Sequence, residues 1–337
     1  YFRGNAKLLA EDGYFTDFIS NGVSTELCFV AFCAFTLIII FAGVQNGIER
    51  VSKIMMPILI VLSVIIAVYS VTRPGALAGV KYFLVPNVKN FSWMTVVSAM
   101  GQMFYSLSIA MGILITFGSY MKKDTAIEDS TRNVEIFDTG IAIMAGLMII
   151  PAVFAFSGGD PDTLQAGPSL MFITIPKVFQ NMGFGTVIGI VFFVLVLFAA
   201  ITSSIALTES AVSTFEDELG WGRKKATVLV GVIMLALGSL SSLGYGPLAG
   251  IKIIGMQFLD LFDFLTNSVM MPIAALLTSL LVSRVVGIDK IEEEIIHGES
   301  AFRRKKVFVV MIKYLCPVFA IIILLSSVAN ALGWIKM

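Results

Sequence analysis

The run Ala199-Ala-Ile-Thr-Ser-Ser-Ile-Ala-Leu-Thr-Glu209 gathers oxygen ligands in an apolar setting. Thr202 and Ser203 follow Ala199 by three and four residues, so on a helix both hydroxyls share a face with the Ala199 carbonyl. Two hydroxyls and a carbonyl in a dry environment make half a shell of hard oxygens, suited to a small alkali cation. The ordinary role of such hydroxyls is to bond back to the preceding turn or to join helices, and composition alone favours that role. A second feature lies upstream, where Ser106 and Ser108 precede Ala110-Met111-Gly112. Small residues there let a helix unwind, and half-helix ends bind ions and charged substrate groups. Phe104, Tyr105 and Met111 would line such a break with apolar surface. The same small residues would serve a tight helix-packing interface equally well.

Four acids, Asp138, Glu209, Asp260 and Asp263, sit inside apolar stretches, and no Lys or Arg of those interiors pairs with them in the pattern. A charge at the centre of a membrane helix costs roughly 2.5–3.5 kcal/mol, so each acid demands a reason. It can bind a cation, carry a proton or pair with an arginine elsewhere. It can also be a protonated or helix-end carboxylate with a structural role only.

The setting of these residues follows from composition. Hydrophobic residues make up 57% of the 337 and charged residues 14%, with a mean hydropathy of +0.92. A soluble chain of this length needs about 25% charged residues to cover its surface, so this is an integral membrane protein. Its 23 basic and 23 acidic residues leave no net charge, which excludes nucleic acid as a partner. The partners expected are the lipid bilayer and a small substrate. Three cysteines, Cys28, Cys33 and Cys316, form no disulfide framework or metal-ligand spacing. The one histidine, His297, lies in a charged stretch, and no phosphate-binding Gly-rich loop is present. Enzymatic chemistry and an organic cofactor are therefore not expected.

Eight apolar stretches are long enough to cross a bilayer, at about 23–44, 51–71, 93–120, 135–157, 184–211, 225–243, 254–283 and 307–334. They form a single transmembrane domain, 23–337, after a polar loop, 1–22. Glycines interrupt the third stretch, and Pro272 and Pro317 the last two. The loops after the first, third, fifth and seventh stretches carry fourteen Lys and Arg, including Arg303-Arg-Lys-Lys306. The other side, both ends included, carries eight, among them Arg3 and Lys336, so the first set is cytoplasmic. An even number of spans starting outside, in a chain opening at Tyr1, reads as a fragment lacking an odd number of earlier spans. The outer connection 157–183 contains a short apolar helix at 168–180, a candidate outer lid. The loop 72–91 reads as a second surface element.

Several segments resemble signatures of one family. Gly47-Ile-Glu-Arg-Val-Ser-Lys-Ile-Met-Met-Pro57, Gly101-Gln-Met-Phe-Tyr-Ser-Leu-Ser108, Thr202-Ser-Ser-Ile-Ala206 and Glu216-Asp-Glu218 are similar to motifs of the neurotransmitter:sodium symporter family, in its bacterial branch. Gln165-Ala-Gly-Pro168 and Ile175-Pro-Lys177 in the outer loop resemble that branch too. The motifs occur in family order from about residue 20 onward. The resemblance implies an all-α bundle of two inverted five-helix repeats, with these eight spans matching the fourth to eleventh. It implies sodium-driven uptake of amino acids by alternating access across a cell membrane, in a bacterium the inner membrane. By position, Ala199, Thr202 and Ser203 match ligands of the family's second sodium site, and Ser106 matches a ligand of the first. Asp138 falls where many members carry an Asn ligand of that first site. Tyr105, Ser108, Met111, Ser203 and Leu207 match substrate-pocket positions, and Asp263 matches the acid of the extracellular gate.

Chloride-dependent members carry a serine four residues after the Asp138 position, where this chain has Ala142. Sodium ions packed beside a zwitterion leave excess positive charge, which a fixed carboxylate offsets as well as chloride does. A chloride-independent symporter is therefore expected, with an apolar or aromatic substrate suggested by Tyr105, Met111 and Leu207. The competing readings are a non-transporting amino-acid sensor of the same fold and, from another class, a cation channel.

Overall fold

The computed structural model describes residues 6–11, 13–160, 167–331 and 334. Gln165 and Ala166 of the outer-loop motif, Arg3 and Lys336 of the charge count, and residues 332–333 of the last stretch lie outside the described residues. Among the described residues the secondary structure is helical, apart from one isolated bridge, Ile253 to Met256.

The helices in chain order are α1 Tyr14–Ser20, α2 Gly22–Phe41, α3 Val44–Val71, α4 Ala76–Leu84, α5 Trp93–Ser106, α6 Ile113–Ser119, α7 Ile127–Ser157, α8 Leu170–Gln180, α9 Gly185–Leu219, α10 Arg223–Leu243, α11 Phe258–Val286, α12 Ile288–Gly298 and α13 Lys305–Ala331. Seven of them, α2, α3, α7, α9, α10, α11 and α13, are long and apolar enough to cross a membrane. The third apolar stretch, 93–120, is not one helix. It is α5 and α6 separated by Leu107–Gly112, because Ser108, Ala110 and Gly112 take φ of 54°, 64° and 80°. Left-handed residues cannot continue a right-handed helix.

The polar loop read over 1–22 contains α1 and a single turn at Ala6–Leu9. The Phe15 ring on α1 stacks on Phe172 with centroids 5.3 Å apart. The connections read over 157–183 and 72–91 carry α8 and α4. Pro272 and Pro317 each lie just past a π-helical segment, Phe264–Met270 and Met311–Leu315. A proline removes one N–H from the i→i−4 ladder and crowds the preceding turn, and a wide turn upstream absorbs both effects.

The chain divides into two compact units. The first comprises Tyr1–Val88, Thr139–Thr208 and Phe215–Ile251. Its core joins α3, the second half of α7, α8 and α9 through Leu59, Ile66, Met148, Val153, Val178, Phe179, Ile188 and Phe192. Ser70 on α3 donates to the Met148 carbonyl at 2.7 Å, so a polar atom inside that core is satisfied. Between α2 and α10 the Phe29 ring sits directly on Gly238, where a Cβ would fall 2.1 Å from it. Small residues at such seams are how helices pack in lipid, where burial against a neighbour gains no hydrophobic energy.

The second unit comprises Lys89–Asp138, Glu209–Thr214 and Lys252–Met337. In it α13 packs along α11 and against α5. α5 opens with a capping box in which the Ser92 hydroxyl accepts from Thr95 N and Thr95 Oγ1 accepts from Ser92 N, both at 3.3 Å.

Candidate functional site

In the second unit the break between α5 and α6 places Tyr105, Ser106, Ser108 and Met111 at the end of α5 or on the unwound segment. Ser106 is the last residue of α5, and its hydroxyl donates to Asp138 Oδ1 at 2.7 Å. A hydroxyl has one proton and two lone pairs, so Ser106 Oγ keeps acceptor capacity while it is bonded to the carboxylate. The pair sets a carboxylate oxygen and a hydroxyl oxygen side by side. Hard-oxygen sets of this kind hold alkali cations.

The unwound segment is held from the other side by α9. Ser210 Oγ lies 3.5 Å from the Met111 carbonyl and 3.5 Å from Thr116 Oγ1, and Thr116 also meets Ser213 at 3.3 Å. Gly112 is required here twice over. Its φ of 80° favours glycine, and a Cβ would fall 2.5 Å from Ser210 Oγ. Ser108 and Ala110 hold positive φ with side chains attached, a strain of about 1–2 kcal/mol each that tends to persist at functional sites.

Glu209 of α9 is fully buried, and Tyr120, just past α6, donates its hydroxyl to Glu209 Oε1 at 2.7 Å. Sequence reading singled out Glu209 but not its partner. The two lie 89 residues apart, and no spacing rule joins them. Asp263, at the end of the first helical stretch of α11, is exposed, and Asn267 one turn later donates to its Oδ1 at 2.5 Å.

In the first unit, Thr202 Oγ1 donates to the Ala199 carbonyl at 3.0 Å and to the Phe198 carbonyl at 3.1 Å. This is the back-bonded arrangement common for hydroxyls in membrane helices. It also puts the Thr202 oxygen beside the Ala199 carbonyl, with its lone pairs pointing away from the bond it donates. Ser203 and Leu207, one turn apart, are exposed on α9. The sequence-derived residues thus fall into two groups. Ser106 with Asp138, together with Tyr105, Ser108, Met111 and Asp263, belong to the second unit, and Ala199, Thr202, Ser203 and Leu207 belong to the first.

With this geometry in place, comparison with known proteins is informative. A family model described as the Sodium:neurotransmitter symporter family matches residues 15–334. An uncharacterized sodium-dependent transporter of Bacillus subtilis, YhdH, is 34% identical over 93% of this chain and 69% of its own length. Uncharacterized sodium-dependent transporters of Methanocaldococcus jannaschii and Haemophilus influenzae are 30% and 31% identical, over 77% and 86% of this chain. The matches span 52% and 62% of those two relatives' own lengths. All three are named as transporters rather than enzymes. Among solved structures, the crystal structure of MhsT in complex with L-phenylalanine superposes with a TM-score of 0.82 at 33% identity. That match covers 96% of this chain and 74% of MhsT.

Proposed function

The chain belongs to the sodium:neurotransmitter symporter family, and from that premise we propose that it serves sodium-coupled symport of an amino acid across a cell membrane, without need of chloride. The observation that carries this reading is the 2.7 Å bond from Ser106 to Asp138 beside the break at Leu107–Gly112.

A zwitterionic substrate adds no net charge, so each sodium ion that enters with it must be balanced within a low-dielectric site. Asp138 supplies a fixed negative charge where Ser106 supplies a neutral oxygen. Ala142, one turn on, offers no hydroxyl to hold chloride. Sodium at the Ser106–Asp138 pair would order the unwound segment, since the ion replaces main-chain and side-chain partners that a helix would otherwise provide. The substrate's charged groups then meet Ser108 and the half-helix end of α6, and its side chain meets Tyr105 and Met111. Ala199, Thr202 and Ser203 are read as ligands of a second sodium ion, Ser203 and Leu207 as further substrate contacts, and Asp263 as an outer gate.

An apolar or aromatic substrate is the reading that Tyr105, Met111 and Leu207 support, and the L-phenylalanine complex of MhsT is consistent with it. The test is uptake of labelled L-phenylalanine and other amino acids into proteoliposomes of the full-length protein, with chloride replaced by gluconate at constant sodium. Unchanged uptake is expected. Abolished uptake would remove the charge-balancing role of Asp138. Sodium-dependent binding without uptake would favour a sensor, and sodium flux without substrate a channel.

A further inference from the structure

Two glutamates in the second unit, 171 positions apart, tie the start of α7 to the segment between α12 and α13. Glu299 Oε1 accepts the backbone N–H of Glu128 at 2.6 Å and that of Asp129 at 3.3 Å. These are two of the donors that the first turn of α7 cannot satisfy within the helix. Glu128 returns the arrangement: its Oε2 accepts the N–H of Arg303 at 2.9 Å and its Oε1 that of Arg304 at 3.1 Å, directly ahead of α13. The Arg304 guanidinium reaches two turns further along α7 and donates to both oxygens of Glu135, at 3.1 and 2.8 Å. The hydrogen bond to the Glu135 carboxylate, with its charge, holds the Arg304 guanidinium above its ordinary value. Gly298 permits the approach, since a Cβ there would fall 2.5 Å from the Thr125 carbonyl oxygen.

Asp138 lies three residues beyond Glu135, one turn along the same side of α7. The helix is a rigid rod rising about 1.5 Å per residue, so its height and rotation at the capped end set those at Asp138. A binding constellation tolerates only about 0.5 Å of misplacement. We propose that Glu128, Glu299 and Arg304 are positioning residues for the ion site, clasping the start of α7 to the segment before α13 so that Asp138 stands in register with Ser106. The inference rests on the reading of Asp138 as the carboxylate that balances sodium.

The two glutamates predict different chemistry on substitution. Glu299 uses a single oxygen for both N–H groups, so a glutamine can present its carbonyl oxygen in the same place. Glu128 uses both oxygens, and a glutamine would turn its own NH₂ toward one of the two donors. The experiment measures the sodium concentration for half-maximal uptake of labelled L-phenylalanine, and the binding of radiolabelled sodium, by the full-length protein in proteoliposomes.

Glu299→Ala and Glu128→Ala are each expected to raise the sodium half-saturation about fivefold, the equivalent of one lost cap. Glu299→Gln should stay within about twofold of the parent, and Glu128→Gln should not. Substrate affinity at saturating sodium should stay unchanged in all four, a split that a loss of folded protein would not produce. Glu135→Gln keeps both caps while weakening the Arg304 bond, and should give a smaller shift in the same direction if the alanine variants fail to fold. Sodium half-saturation equal to the parent in folded variants, or equal shifts for Glu299→Gln and Glu299→Ala, would overturn the clasp alone. A parent protein with no sodium dependence would overturn the symport reading and this inference with it.

Discussion

Asp138 accepts a hydrogen bond from the Ser106 hydroxyl, and that single contact determines what its replacement should do. Asp138→Asn keeps the shape and removes the charge. A bond to a charged group is worth about 1.5–3 kcal/mol, so sodium half-saturation should rise about 10- to 100-fold. If the lost charge is the cause, adding Ala142→Ser to that variant should restore part of the uptake only when chloride is present. On α9, Thr202→Val removes an oxygen while leaving the branched shape. Sodium affinity should fall about tenfold with thermal stability nearly unchanged, and Thr202→Ser should retain affinity. A large drop in melting temperature with unaltered sodium affinity would make the Thr202 hydroxyl a purely structural back-bond. Asp138 is legible in the sequence as an acid in an apolar run. Its partner is not, because Ser106 lies 32 residues earlier on another helix, and only the family resemblance connects the two. Tyr120 beside Glu209 left no sequence signal at all.

At the scale of elements, the break between α5 and α6 is a strained turn held by α9. Gly112→Ala would meet both the left-handed backbone and Ser210 Oγ, so thermal unfolding in detergent should show a loss of about 1–3 kcal/mol. Ala110→Gly relieves strain at a φ of 64° but frees the unfolded chain, and the two effects, each near 1 kcal/mol, should nearly cancel. Equal, large losses for both would contradict the strained-turn account. The small residues around Ala110 foretell unwinding, but they cannot fix where the chain turns left-handed, which depends on Ser210 from a distant helix. Pro272 and Pro317 mark where ladders are interrupted, whereas the π-helical form of the adjustment is decided by packing around them. α1 was missed because seven residues are too few for a periodic pattern, and its order comes from aromatic packing such as Phe15 on Phe172.

For the whole molecule, the composition, the long apolar helices and the family match agree on a multi-pass transporter of the sodium:neurotransmitter symporter family. Composition alone sets the solvent as lipid, which is why many large apolar side chains face outward, Ile38 at 67% exposure among them. Apolar length gives seven of the helices directly, and it fails at the third stretch because a broken helix and an intact one have the same hydropathy. The account as a whole rests on sodium being balanced by a fixed carboxylate during amino-acid uptake. The most direct measurement is concentrative uptake of labelled L-phenylalanine into proteoliposomes of the full-length protein and its Asp138→Asn variant, with an inward sodium gradient and chloride replaced by gluconate. The account predicts that the parent protein accumulates substrate only with the gradient and that the variant accumulates far less at the same sodium concentration. Uptake that ignores sodium, needs chloride in the parent protein, or survives unchanged in the variant would contradict it.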